Sequence, residues 1–257
     1  MADMFRLDNK VAVVVGATGG LGGPIAFGLA RQGAKVAVAS RNLPKLEELA
    51  RQIQEETKSE TGAFQVDVTD EHSVAQLVKD VLSKFGTVDI LVNSQGVNIK
   101  YPATEFPVSA WDNMFNINVR GVMLSCREFG KVMIEKKSGK VINLSSVRGV
   151  RATAWGGNEG YAATKAAIDM ITRSLASEWA QYKINVNAIA PSTIATPFSE
   201  RTLQDPERFK RFLASCPLGR VGQPEDVIGA CVFLASSASD FITGQILYVD
   251  GGLTAIG

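Results

Sequence analysis

Along the chain, short apolar runs rich in β-branched residues alternate with longer stretches in which apolar positions recur at helical spacing. An alternating or unbroken apolar run marks a strand and a 3.6-residue period marks a helix, so their alternation marks βαβ units on a parallel sheet. The runs predict strands at 10–15, 35–39, 63–66, 88–93, 140–144, 184–189 and 245–249. Most are continuously apolar, as strands covered by helices on both faces must be. The pattern predicts an α/β protein with a doubly wound, seven-stranded parallel sheet in a single domain over residues 1–257.

Helix starts are also legible. Asp70 precedes 71–85 as an N-cap, Ser109 precedes 110–115 in the same way, and Pro224 stands in the first turn of 224–235. Residues 192–218 fit neither period, because Pro197, Pro206 and Pro217 are mixed with the charged run 207–212. A connection of that length is expected to be a loop that covers a substrate site.

Composition narrows function more than fold. Lys and Arg number 27 against 26 Asp and Glu, a net charge of +1, so nothing drives counterion release from nucleic acid. No apolar run approaches the ~20 residues of a membrane span. The first ten residues carry Asp3 and Asp8 and lack the apolar core of a signal peptide, which predicts a cytoplasmic protein. Cys126, Cys216 and Cys231 match no zinc or redox spacing, so reduced structural thiols and no metal site are expected.

The first strand runs into Gly16-Ala17-Thr18-Gly19-Gly20-Leu21-Gly22-Gly23 and then into a helix. Glycines there let the main chain approach a pyrophosphate, whose charge rests on free N–H groups at the helix N-terminus, although such turns also serve plain chain reversal. The second strand ends in Ser40-Arg41 with no acid. A carboxylate at that place would bond a ribose 2′-hydroxyl, whereas Arg41 can hold a 2′-phosphate in forked bonds, which predicts NADP(H) over NAD(H). The other reading of Arg41 is a solvated surface charge. Tyr161 and Lys165, four positions apart in an Ala-rich helical stretch, share one helix face. A phenol with a pKa near ~10 needs about 4 kcal/mol of phenolate stabilisation to exchange protons near neutral pH, and an ammonium supplies part of it. Such a pair is otherwise a common solvated face.

The order of these features carries more than any one of them. The glycine turn, Asp67, Asn93-Ser94-Gln95-Gly96, Asn118, Ser145-Ser146 and Tyr161…Lys165 follow successive strands, and open α/β sheets bind ligands at the carboxyl ends of their strands. From about residue 10 to 252 the chain resembles the single-domain branch of the short-chain dehydrogenase/reductase family. Gly16, Gly20 and Gly22 match its TGxxxGxG turn, Tyr161 and Lys165 its YxxxK pair, Ser146 its catalytic serine and Asn118 its catalytic asparagine. The resemblance implies a Rossmann fold and a catalytic set of Asn118, Ser146, Tyr161 and Lys165. In that set Tyr161 exchanges the proton, Ser146 bonds the substrate oxygen, Lys165 lowers the Tyr161 pKa and holds the nicotinamide ribose, and Asn118 keeps a relay water. It also implies cofactor contacts from Gly16, Thr18, Gly19, Gly20, Leu21, Gly22, Ser40 and Arg41. Further contacts are implied from Asp67 and Val68 near the adenine, Asn93, Ser94, Gln95 and Gly96, and from Tyr161, Lys165, Pro191, Ile194 and Thr196 toward the nicotinamide.

The chain departs from the family pattern at Val15, Ser94-Gln95, Thr164 and Ser192, and in a longer stretch between Ser146 and Tyr161. These border the substrate and nicotinamide pockets. Ser177-Glu178-Trp179-Ala180 with Ile184-Asn185-Val186-Asn187, and Ala39-Ser40-Arg41-Asn42, are similar to gluconate 5-dehydrogenases and related sugar-acid and ketose reductases. Lys100, Arg148 and Arg151 follow strand ends and can pair with a substrate carboxylate, or else face solvent. The resemblance leaves a 3-oxoacyl-carrier-protein reductase as an alternative, with Lys131, Lys136, Lys137 and Lys140 as a docking surface, and a non-catalytic NADP(H)-binding sensor as another. The 161–179 helix carries Ala162, Ala163, Ala166, Ala167, Met170, Ile171 and Leu175 on more than one face, and the resemblance implies a homotetramer.

Overall fold

Every second residue of the first strand points to the same side of the sheet, and both sides are covered. Ala12 and Val14 enter one core layer while Val13 and Val15 enter the other, all without exposed surface. The structure, a computed structural model, describes residues 3–153 and 156–256. Its seven strands are β1 (Val11–Val15), β2 (Lys35–Ser40), β3 (Thr61–Gln65), β4 (Ile90–Asn93), β5 (Gly139–Leu144), β6 (Ile184–Pro191) and β7 (Ile246–Val249). All pairs are parallel, in the order β3-β2-β1-β4-β5-β6-β7. The doubly wound expectation holds, with strand ends shifted by one or two residues.

The helices are α1 (Gly22–Arg31), α2 (Leu43–Thr57), α3 (Glu71–Phe85), α4 (Val108–Phe115), α5 (Gly121–Lys136), α6 (Glu159–Trp179), α7 (Glu200–Leu203), α8 (Pro206–Ser215) and α9 (Pro224–Ala235). Helices α1, α2 and α9 cover one face through Ile25, Leu29, Leu46, Ile53, Val227 and Leu234. Helices α3, α5 and α6 cover the other through Val74, Leu77, Phe129, Met133, Ile168 and Trp179. The order reverses between β1 and β4, so the connections leaving these strands diverge and open a crevice at their carboxyl ends.

Two helix starts follow the sequence and one does not. Asp70 caps α3 by accepting a bond from His72 N at 2.9 Å, and Pro224 opens α9. Ser109 does not cap α4: the extended Pro107 takes that place, its carbonyl accepts from Ala110 N and Trp111 N, and Ser109 falls inside the first turn. Between α4 and α5 the chain widens into a π-helical turn, Asn116–Arg120, a feature often found at functional sites. Residues 192–218 are also more ordered than their composition predicted. They hold α7 and α8, because Asp205 accepts from Glu207 N and Arg208 N (both 3.1 Å) and Pro206 preforms the first turn. Cys126, Cys216 and Cys231 are free and buried.

Candidate active site

The crevice is a cavity of about 960 Å³. Its floor is the carboxyl edge of β1, β4, β5 and β6, and its walls are the connections that leave them. Among the four residues expected to act together, Ser146, Tyr161 and Lys165 line the cavity, and Asn118 lies directly behind Gly96.

Asn118 is fully buried in the π-helical turn. Its Oδ1 accepts from Val97 N (2.8 Å), and its Nδ2 donates to Val97 O (2.9 Å) and Thr164 Oγ1 (3.1 Å). This ties the loop after β4 to α6. Ser146 follows β5, accepts from Arg148 N at 3.2 Å and donates to Pro191 O at 3.4 Å. On α6, the Lys165 ammonium donates to Leu144 O at 2.6 Å and stands 5.5 Å from the centre of the Tyr161 ring. Burial pushes the Tyr161 phenol up to about 12, while its hydrogen bond with Ser146 and the charge of Arg148 pull it back. Burial brings Lys165 down to about 8, opposed by the Asp169 carboxylate one turn along. In this state the phenol is a proton donor, and added positive charge is what would make it a base.

The nucleotide side is bare main chain. Gly16 has φ +82°, and a Cβ there would lie 2.5 Å from Gln95 N. A Cβ at Gly20 would lie 2.7 Å from Thr196 Cβ, and one at Gly22 2.5 Å from Gly16 O. Gly19, Gly20 and Leu21 line the cavity, and Leu21 is the N-cap of α1 without a side-chain cap, so N–H groups of that end are left for a ligand. Thr18 Oγ1 donates to Ser40 Oγ at 2.9 Å, joining the glycine turn to the end of β2, where Arg41 is exposed. Thr69, through its main chain and hydroxyl, holds the exposed Asp67 carboxyl below its usual range, with Arg41 adding to the effect. This cradle fits a dinucleotide.

Gly16, Thr18, Gly22, Ser40, Arg41, Asp67, Val68 and Asn93 lie outside the cavity lining. Asn93 has no exposed surface: its Nδ2 donates to Asn143 Oδ1 (2.9 Å) and Cys126 Sγ (3.3 Å), so it ties β4 to β5 beneath the crevice, while its Oδ1 makes no hydrogen bond. Val68 packs against Gly121 at the start of α5, outside the cavity lining. Ser94, Gln95, Gly96, Pro191, Ile194 and Thr196 do line it.

Lys100, Arg148 and Arg151 all reach the cavity. Arg148 is half-buried and bonds Ala152 O at 2.8 Å; burial, then the neighbouring Arg151, lowers its pKa. Arg151 bonds the Leu253 carbonyl. Sequence reasoning missed several lining residues. Arg208 and Arg211 of α8 add two cations, and Phe198 sets its ring 6.0 Å from that of Tyr161. Asn98, Asn158 and Glu159 also line the cavity. The Asp-Pro-Glu signal at 205–207 could have revealed α8, but which of its faces meets the cavity depends on packing. Of the longer stretch after Ser146, Ala154 and Trp155 lie outside the described residues.

Residues 16–254 match the family described as enoyl-(acyl carrier protein) reductase, a section of the short-chain dehydrogenases/reductases. The chain belongs to the short-chain dehydrogenase/reductase family. Gluconate 5-dehydrogenase of Gluconobacter oxydans is 37% identical over 98% of this chain and 97% of its own length. D-threitol dehydrogenase of Mycolicibacterium smegmatis is 36% identical over 97% of this chain and 95% of its own. Among solved structures, a gluconate 5-dehydrogenase from Burkholderia cenocepacia in complex with NADP and tartrate superposes with a TM-score of 0.96 at 34% identity, covering 99% of each chain. This short-chain dehydrogenase/reductase is thus an oxidoreductase acting on CH–OH groups, and its relatives include sugar-acid and polyol dehydrogenases. Among the described residues no helix is long and apolar enough to cross a membrane.

Proposed function

We propose that the enzyme moves hydride between NADP(H) and a ketone or secondary alcohol of a sugar acid or polyol. The observation that carries this reading is the make-up of the cavity. A buried phenol beside Ser146 lies at its floor, while Lys100, Arg148, Arg151 and Arg211 stand around it with Arg208, which pairs with Asp205. A keto acid or hydroxy acid brings the carboxylate that such a set of cations favours.

When bound, the nicotinamide cofactor supplies or accepts the hydride. The protein's residues handle the oxygen and its proton. Ser146 donates to the substrate oxygen, and Tyr161 gives that oxygen its proton in reduction or takes it in oxidation. Lys165, buried beside the phenol, stabilises the phenolate and offers its ammonium to the nicotinamide ribose. The Asn118 side chain is spent on Val97 and Thr164, so a relay water at this turn would have to rest on main-chain groups. Gly16, Gly20, Gly22 and the free end of α1 would hold the pyrophosphate, and Ser40 with Arg41 the 2′-phosphate. NADP in the B. cenocepacia structure supports that preference.

A carrier-docking surface finds less support. Lys131 pairs with Glu128, Lys136 with Asp89 and Lys140 with Asp240, so these three charges are matched locally. We further place the enzyme in the cytoplasm as a homotetramer. The exposed Met123 of α5 and Met170 of α6 support burial of these helices against a second subunit, which light scattering tests.

The test of function is absorbance at the NADPH band, with NADH in parallel, against 5-ketogluconate, fructose, sorbose, a diketone and an acetoacetyl thioester. NADPH oxidation by a keto acid or ketose, lost in Tyr161→Phe, is the expected result. Turnover of the thioester alone would overturn it.

A further inference from the structure

Four residues that line the cavity carry polar atoms that the protein itself does not satisfy. Gln95 and Asn158 are each 7% exposed, yet Gln95 Nε2 and Oε1 and Asn158 Oδ1 make no hydrogen bond. Asn98 Oδ1 and Glu159 Oε1, on half-buried residues, are in the same condition, and all four residues line the same cavity. Buried polar atoms without partners are rare in native proteins, and each calls for an explanation.

Their placement supplies one. Asn158 is the N-cap of α6, where an asparagine ordinarily bonds the first-turn N–H groups, yet its side chain makes no capping bond. It stands three residues before Tyr161 and seven before Lys165, on the face that carries the catalytic pair. Gln95 has its main chain pressed against Gly16 and is, like Asn158, a lining residue of the cavity. The unsatisfied atoms are four oxygens and one nitrogen. Three of these four side chains are carboxamides, which accept through oxygen and donate through nitrogen as hydroxyl groups both accept and donate, so the set suits hydroxyl groups. The cations of the same cavity suit a carboxylate.

We propose that Gln95 and Asn158, flanked by Asn98 and Glu159, form a hydroxyl-reading subsite for a polyhydroxylated chain. Hydroxyls near the reacting carbon bond these side chains, while the acid end of the substrate meets the arginines. This inference rests on the sugar-acid or polyol reading and deepens it. It makes hydroxylation of the chain, and not only the carbonyl, the basis of selection. A site built to bond hydroxyls rejects an analogue without them, because its own buried groups then stay unpaired.

The experiment compares kcat/KM for 5-ketogluconate with kcat/KM for butanedione, a diketone without hydroxyls, in wild type, Gln95→Leu and Asn158→Ala. The ratio is expected to fall about 10- to 100-fold in each variant. The melting temperature of the ligand-free variants should not fall, since each substitution removes an unsatisfied group. An unchanged ratio overturns the subsite, and an unchanged ratio with weakened NADPH binding moves the Gln95 amide onto the cofactor. Wild type inactive on every sugar acid, ketose and polyol overturns both this subsite and the function it rests on. Active wild type with indifferent variants overturns the subsite alone.

Discussion

At Gly16, Gly20 and Gly22 the nucleotide side of the crevice is main chain packed too closely for a side chain. Elsewhere the cavity is lined by Arg148, Asn158, Phe198 and Arg208, which come from segments far apart in the chain. The first side binds through peptide groups whose positions the turn itself dictates. The second binds through groups that only packing brings together. A backbone site is generic and suits a cofactor shared by many enzymes, while a side-chain site can be altered one residue at a time and suits a particular substrate.

Substitutions can break this division, beginning with the largest effect. Tyr161→Phe should lower kcat about 10³-fold while leaving NADPH affinity within about 2-fold, measured by turnover and fluorescence titration. A large loss of cofactor binding would blur the two sides. Arg41→Ala should weaken NADPH about 10- to 100-fold and NADH hardly at all, because only the former carries the 2′-phosphate. Gly16→Ala should destabilise the fold by about 2 kcal/mol or more through its left-handed conformation alone, read as a drop in melting temperature. Arg148→Ala should raise KM for 5-ketogluconate about 10-fold more than KM for fructose.

The smallest effect concerns the buried ammonium. Lys165 titrates at about 8 in the fold against an ordinary 10.5, so its protonated form is penalised by burial. Below about pH 8 the native state bears that penalty in full. As pH rises toward 10.5 the folded lysine loses its proton before the unfolded one, and wild-type stability rises. Lys165→Met should therefore be inactive yet more stable near neutral pH by about 1–2 kcal/mol, after the lost bond to Leu144 O is deducted. That advantage should shrink in melting curves recorded toward pH 10. Tyr161 has the opposite sign: above pH 10 the unfolded phenol ionises first, and stability falls until about pH 12.

The strands were legible because both sheet faces are buried, so each run from Val11–Val15 to Ile246–Val249 is written in apolar residues wherever it is placed. The glycine turn and the Tyr161–Lys165 pair were legible for a related reason: each is a local arrangement whose spacing is its geometry. Ser109 misled because a capping residue and a first-turn residue look alike until the extended Pro107 is seen to take the cap. The bonds of Asn93 to Asn143 and Cys126 were not legible, because a strand-end asparagine reads the same whatever its side chain meets.

By itself the sequence determined the α/β class, the parallel sheet, the glycine turn and the Tyr161–Lys165 pair on one helix face, since these rest on periodicity and on contacts within a few positions. Only the tertiary structure decided that Arg208 and Arg211 join Arg148 around one cavity, that Phe198 leans on Tyr161, and that Gln95 and Asn158 are left buried without partners. Those facts depend on side chains from distant segments converging at the carboxyl edge of the sheet. No local pattern records such a convergence, because nothing in one segment specifies which face of another it will meet.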